Sequence, residues 1–330
     1  MVFIAKSLSQ DFDRIIHFFD ESLRENSPCR MQEEYPLVFD SEQSSVVLID
    51  PKDENSLSGK FITELDPQKK SHIFMIEENS ELKAGLATLI REIQVDSGKK
   101  MRFLFIGSVV TKPQYRQQGL QRELFLALEK SCSQLKIDVL ALWSNQILFY
   151  QKLGFFFGGL QATWIPRFPF RQTKPSFDVA YGMSYERPFS EKHFKAFNQK
   201  KFRVERTCEE MERLWKSPQM FVASTEQAYA LMGRGEDFQG ICHEWAGPPD
   251  EVLCCIHRLR QEARDLKVLS PGVLHDEEEQ DVVQKLENEG FEPRFEYLGL
   301  FKLMNAGIKA SDFDPESLKY SFFIWGLDSI

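Results

Sequence analysis

The chain has 330 residues, 42% hydrophobic and 28% charged, with 29 Phe and a formal net charge of −9. At about 100 to 200 residues per domain there is room for two cores, and the composition excludes a long disordered chain. The charge is uneven, −2 over residues 1–170 and −7 over residues 171–330, so neither half offers the cationic excess that generic nucleic-acid binding requires.

The first residues carry Lys6 alone before Asp11 and lack the basic start and apolar stretch of a secretory signal. The longest apolar run, 103–110, is far short of the roughly 20 residues of a membrane span. No membrane association and a cytoplasmic location are expected. Six cysteines at 29, 132, 208, 242, 254 and 255 show no CxxC spacing, so no metal site and no disulfide framework are expected.

DFDRIIHFFDESLRE places Phe12, Ile15, Ile16, Phe19 and Leu23 on one face of a helix, with Ser9 as its cap. HIFMIEE (72–78) and LKAGLATLIREIQV (82–95) flank a polar turn and predict a hairpin, and MRFLFIGSVV (101–110) predicts a third strand. TKPQYRQQGLQRELFLALEK (111–130) then breaks at Pro113 and continues as an amphipathic helix. DVLALWS (138–144), NQILFYQKLGF (145–155) and LQATWIP (160–166) read as strand, short helix and strand. The order predicts a mixed α+β fold in which an antiparallel meander leads into a strand-helix-strand crossover, with helices flanking a mostly antiparallel sheet.

Residues 167–187 have no strong pattern and two prolines, which places a domain boundary near 170 and divides the chain into 1–170 and 171–330. The second half repeats the order of the first, and QKLGF (151–155) has a counterpart in QKLENEGF (284–291), so a duplicated fold is expected. The tail SFFIWGLDSI is apolar enough to predict a final strand.

The join between the third strand and its helix is where chemistry is expected. A helix start offers unpaired N–H groups and the positive end of a dipole to an anion. Gly119 allows close backbone approach, Arg116 adds charge, and Gln117, Gln118 and Gln121 add neutral donors. Alone, an RxxG stretch is also compatible with a simple turn. Together with NQILFYQKLGF some 30 residues later, VVTKPQYRQQGL resembles the two signature segments of the GNAT (GCN5-related N-acetyltransferase) superfamily.

That resemblance implies that Arg116, Gln117, Gln118, Gly119, Leu120 and Gln121 cradle the pyrophosphate of acetyl-CoA. Gln121 departs from the Gly or Ala the family prefers there. It implies that Val109, Val110 and Thr111 line the pantetheine arm, with a bulge at Gly107 and Ser108. It implies that Tyr150 protonates the leaving thiolate, although spacing alone also allows Tyr150 to be a core aromatic. Asn145 either caps the short helix or binds pantetheine. No general base stands out: the strand MRFLFIGSVV has no Asp, Glu or His. Glu33, Glu34 and Glu92 either face the cleft or are solvated charges, and a water relay or an already neutral amine would serve in place of a base.

In the second half the corresponding loop is WAGPPDEVL. Pro248 and Pro249 remove N–H donors, Asp250 and Glu251 put negative charge where phosphate would bind, and Leu286 replaces Tyr150. This copy is expected to be degenerate, as in the tandem enhanced-intracellular-survival family, whose chain-terminal carboxylate acts as base. That likeness makes Ile330 a candidate base. His243 and Glu244, at the end of a predicted strand, either face a cleft between the copies or lie inside, with His243 a satisfied core histidine. The expected function is direct transfer of an acetyl group from acetyl-CoA to a primary amine of a small molecule or peptide. The alternative is a non-catalytic acyl-CoA sensor or interaction module. A tandem aminoacyl transferase using charged tRNA fits the acidic halves poorly.

Overall fold

Helix α1 (Leu8–Leu23) buries Phe12, Ile15, Phe18 and Phe19 and exposes His17 and Glu21, as its apolar spacing requires. It begins at Leu8, so Ser9 lies inside the first turn and is not the cap. The structure, a computed structural model, describes residues 8–49, 66–95, 99–167, 189–274, 277–314 and 322–328. The boundary near 170 and the chain end at Ile330 lie outside those residues.

A single turn, α2 (Met31–Glu34), precedes β1 (Ser44–Ile49), which lies parallel to β2 (Ser71–Glu78). Strands β2, β3 (Glu81–Gln94) and β4 (Lys100–Thr111) form the antiparallel meander. Helix α3 (Leu120–Leu135) carries the chain to β5 (Val139–Leu142), parallel to β4, and α4 (Ile147–Lys152) leads to β6 (Phe156–Pro166).

The second half has α5 (Glu191–Gln199), β7 (Arg203–Val204), α6 (Cys208–Leu214), β8 (Phe221–Ser224), β9 (Tyr229–Arg234) and β10 (Asp237–Ala246). It ends with α7 (Pro249–Glu262), β11 (Lys267–Pro271), α8 (Glu277–Asn288) and β12 (Phe291–Leu303). The order β8-β9-β10-α7-β11-α8-β12 repeats β2-β3-β4-α3-β5-α4-β6. Parallel pairing recurs at the same step, β4 with β5 and β10 with β11.

Among the described residues the twelve strands belong to one sheet, ordered β1-β2-β3-β4-β5-β12-β6-β11-β10-β9-β8, with β7 paired to β3. The last strands are exchanged. β12 lies between β5 and β6, and β6 lies between β12 and β11. The β12–β6 ladder runs from Phe301↔Phe156 to Phe291↔Pro166 and joins the halves at the middle of the sheet.

Two apolar cores lie against the sheet. Beneath α3, Leu120, Leu124, Phe125 and Leu128 pack on Leu104, Ile106 and Phe74. The larger core runs from Phe12 and Phe19 of α1 through Phe103 and Phe105 to Trp245, Ile256 and Leu286, so both halves share it.

The tail is not a strand. Among the described residues 322–328 the chain is irregular and ends in a 3-10 turn, Gly326–Asp328. Phe323, Trp325 and Leu327 are buried, so the tail's apolar character is spent on the core. Strand β10, which it packs against, already has β9 and β11 on its two edges and no edge to offer.

Candidate active site

Strands β4 and β5 part company inside the sheet. Their pairing covers Phe103↔Val139, Leu104↔Leu140 and Phe105↔Ala141, after which β4 continues to Thr111 while β5 ends at Leu142. On its other edge β4 stays paired to β3, with a register shift between Ala87↔Gly107 and Gly85↔Val110. That shift is a β-bulge, which bends and twists the strand. Its left-handed residue is Ser108, with φ 51, rather than Gly107. Val109, Val110 and Thr111 therefore lie on a strand end that turns away from β5, and among the described residues no strand pairs with its β5-facing edge. An extended chain can add to such an edge.

The loop leaving β4 is tied down. Pro113–Tyr115 forms a 3-10 turn, the Tyr115 hydroxyl donates to Glu81 Oε2 at 2.6 Å, and Lys83 Nζ lies 4.4 Å from the Tyr115 ring centre. The Lys112 N–H donates to the Lys83 carbonyl at 3.0 Å, so the loop is fixed to the start of β3. Gln117 and Gly119 are both left-handed, at φ 64 and 80. A Cβ at Gly119 would meet nothing within 4 Å, so the backbone there lies open to an approaching group.

Gly119 occupies the N-cap of α3 without a side-chain cap, and the burial of Leu120, Leu124 and Phe125 holds the helix start in place. Its first-turn N–H groups and dipole suit an anion. Gln117 and Gln118 are exposed and Gln121 is half-buried. Arg116 Nε donates to the Thr111 carbonyl at 3.3 Å, which folds the guanidinium back over the end of β4.

Tyr150 sits on α4, beyond the end of β5, and is 6% exposed. Its ring meets Phe149, Phe125 and Phe155 edge-on, with centroids 5.0, 5.7 and 5.9 Å away. Burial pushes the phenol pKa up, opposed by a hydrogen bond with Ser144, so Tyr150 holds its proton at neutral pH. Asn145 is exposed and is not the cap of α4. Gln146 takes that position, and its N–H donates to Ser144 Oγ at 3.0 Å. Lys302 of β12 donates to the Leu153 carbonyl at 2.7 Å and pairs with Glu129 of α3 at 2.6 Å, so the second half anchors the helix that carries Tyr150.

The candidate bases are placed elsewhere. Glu34 is fully buried and held by Arg24 at 2.5 Å, Glu33 belongs to the capping box of α2, and Glu92 is exposed on β3. His243 and Glu244 do not face a cleft. The His243 ring bonds the Gly233 carbonyl through Nε2 at 3.1 Å, and Glu244 accepts two hydrogen bonds from Arg206 at 2.8 Å and one from Tyr229 at 2.9 Å. Both are fully buried, and the tail turn packs on β10 with Gly326 against the His243 ring.

The matching place in the second half is closed. Pairing of β10 with β11 stops at Cys242↔Val268, and Trp245 crosses beyond it with Nε1 donating to the Leu269 carbonyl at 2.8 Å. Helix α7 starts on Pro248 and Pro249, with Asp250 held by Lys285 at 2.6 Å and Glu251 bonded by Thr225. Leu286 is a buried core residue of α8. Sequence reasoning missed Tyr115, Trp143 and Lys302 around the first site, since their partners lie far along the chain and leave no local signal.

Residues 6–158 match the family model of the acetyltransferase (GNAT) domain. Over those residues the chain is similar to a GNAT acetyltransferase domain. The solved structures similar to it include a GCN5-related N-acetyltransferase from Kribbella flavida, at 13% identity and TM-score 0.50 over 70% of this chain and 60% of that one. A probable N-acyltransferase from Enterococcus faecalis V583 aligns at 9% identity and TM-score 0.55, over 90% of this chain and 71% of that one. A GCN5-related N-acetyltransferase from Anabaena variabilis aligns at 14% identity and TM-score 0.52, with the same coverage. The match thus spans less than two thirds of the Kribbella protein, and at these identities the likeness is one of fold. No curated protein matches the sequence. Strands β4 and β5, with the split between them and the bulge of β4, lie within the matched residues 6–158. Among the described residues no cluster of His, Cys, Asp and Glu could hold a metal ion, and no helix is long and apolar enough to cross a membrane.

Proposed function

We propose that this protein transfers the acetyl group of acetyl-CoA directly to a primary amine of a small molecule or peptide. In this reading residues 1–170 form the catalytic domain and residues 171–330 a degenerate copy that neither binds CoA nor catalyses. The observation that carries it is the continuity of the site: the freed end of β4 runs through the tethered loop to the open backbone at Gly119 and the start of α3.

In that arrangement the N–H groups from Gln117 to Gln121 and the helix dipole hold the pyrophosphate, with Arg116 adding charge. The backbone of Val109 to Thr111 pairs with the pantetheine amides, and one N–H polarises the thioester carbonyl. The neutral amine attacks that carbonyl to give a tetrahedral intermediate and loses its surplus proton to solvent water, the C–S bond breaks, and Tyr150 gives its proton to the departing thiolate and regains one from solvent. In the second half, two prolines, two carboxylates and Trp245 occupy the corresponding places, which supports the assignment of a silent copy.

Calorimetric titration of acetyl-CoA into the native chain and a Gly119→Asp variant tests the reading. A side chain at Gly119 meets no atom within 4 Å, although the left-handed φ of 80 makes any non-glycine residue there strained, and the aspartate charge opposes phosphate. Micromolar binding to the native protein, lost in the variant, is expected. Absence of binding to the native protein would overturn the proposal. Binding without thiol release for any of a panel of amines would shift the chain to an acyl-CoA sensor.

A further inference from the structure

Building on the assignment of the β4–β5 split as the acyl-CoA channel, we infer that Trp143 is the end wall of that channel and restricts the acyl group to short chains. Trp143 is the first residue beyond β5, at the point where the split begins. The residue is 36% exposed, so Trp143 is not wholly enclosed in the core.

The ring is nevertheless held from several directions. Its Nε1 donates to the Leu298 carbonyl of β12 at 2.6 Å. Its centroid lies 5.8 Å from that of Phe105, the last residue of β4 paired with β5. A Cβ added to Gly299 would come within 3.2 Å of Nε1, so the indole rests on bare backbone. The side chain thus reaches from β12 past the end of β5 to β4, across the apex of the split. An acyl group carried toward that apex ends against the Trp143 and Phe105 rings. A methyl group stops short of the indole, whereas a longer chain has to displace it, breaking the Leu298 hydrogen bond and the Phe105 contact. Sequence-distant β12 supplies both Leu298 and Gly299, so the second half sets the depth of the first half's channel.

The test is calorimetric titration of CoA, acetyl-CoA, butyryl-CoA and hexanoyl-CoA into the full chain and its Trp143→Ala and Trp143→Phe variants. Single methylenes in apolar pockets are discriminated by roughly tenfold or more, so the native protein is expected to bind hexanoyl-CoA at least about tenfold more weakly than acetyl-CoA. Trp143→Ala should bring the three thioesters within about threefold of each other while leaving free CoA affinity unchanged. Trp143→Phe, which keeps a ring in place, should retain the native order. Native binding of hexanoyl-CoA as tight as that of acetyl-CoA would overturn the inference even if the alanine variant does not fold. So would a Trp143→Ala protein that binds CoA and keeps the native order. Failure of the native chain to bind CoA or any thioester is a distinct result, which would remove the acetyl-CoA reading and this inference with it.

Discussion

Tyr150 and His243 are both buried, and the chemistry around each decides what burial does. Tyr150 is wrapped by Phe125, Phe149 and Phe155, and removing only its hydroxyl leaves that packing intact. Tyr150→Phe is therefore expected to fold normally and bind acetyl-CoA as the native chain does. Its turnover with a competent amine should fall on the order of 10²-fold, the contribution typical of a general acid. Unchanged turnover would return Tyr150 to the role of core aromatic, which its spacing alone also allowed. His243 is held down to about 3 by burial, helped by the charge of Arg234, against 6.5 for a free imidazole. The folded protein keeps it neutral, so the unfolded chain binds a proton the folded one refuses. Its contribution is complete above pH 6.5 and is lost as pH falls toward about 3, at about 1.4 kcal/mol per pH unit. Thermal melts from pH 7.5 down to 5 should show falling stability, with a shallower slope in His243→Gln.

The contrast between α3 and α7 shows how two similar elements diverge. Each follows a strand that leaves its parallel neighbour. Helix α3 begins at a left-handed glycine with open space above it, whereas α7 begins on two prolines and Trp245 bridges the strands. The residue types behind this difference were legible in sequence, because glycine and proline act through backbone geometry that needs no distant partner. The tail was not. Its apolar character predicted a strand, but the edges of β10 are taken and Trp325 packs between Trp245 and Phe323, with centroids 5.2 and 4.7 Å away. Lys200 Nζ lies 4.0 Å from both tryptophan rings. Trp325→Ala should therefore cost about 3 to 5 kcal/mol, as large-to-small changes at fully buried aromatic sites do. Urea titration measures this, and a cost below about 1 kcal/mol would show that the tail packs elsewhere.

The exchange of β6 and β12 makes the halves interdependent. β5 has β12 as its outer neighbour, and Lys302 of that strand anchors both α3 and α4. Residues 1–170 expressed alone would leave β5 and β6 with unpaired edges, a template for aggregation. Such a fragment is expected to be insoluble or molten, and the full chain should unfold in one transition with matching calorimetric and van't Hoff enthalpies. A soluble fragment with native near-ultraviolet circular dichroism would show that the first half is complete without β12. What could be read from the chain alone was local: the helix periodicities, most strand positions, the repeated order, the GNAT-like loop at Arg116 to Gln121 and the prolines opposite it. Each rests on period, turn chemistry or residue type within about twenty positions. β1 escaped because six residues, SSVVLI, have too short a pattern to separate a strand from a loop. The strand exchange, the burial of His243 and Glu244, the anchoring of α4 by Lys302 and the seat of Trp143 on Gly299 join residues scores to more than 150 positions apart. Only tertiary structure decides these, because which edge a strand takes depends on which other edges remain free.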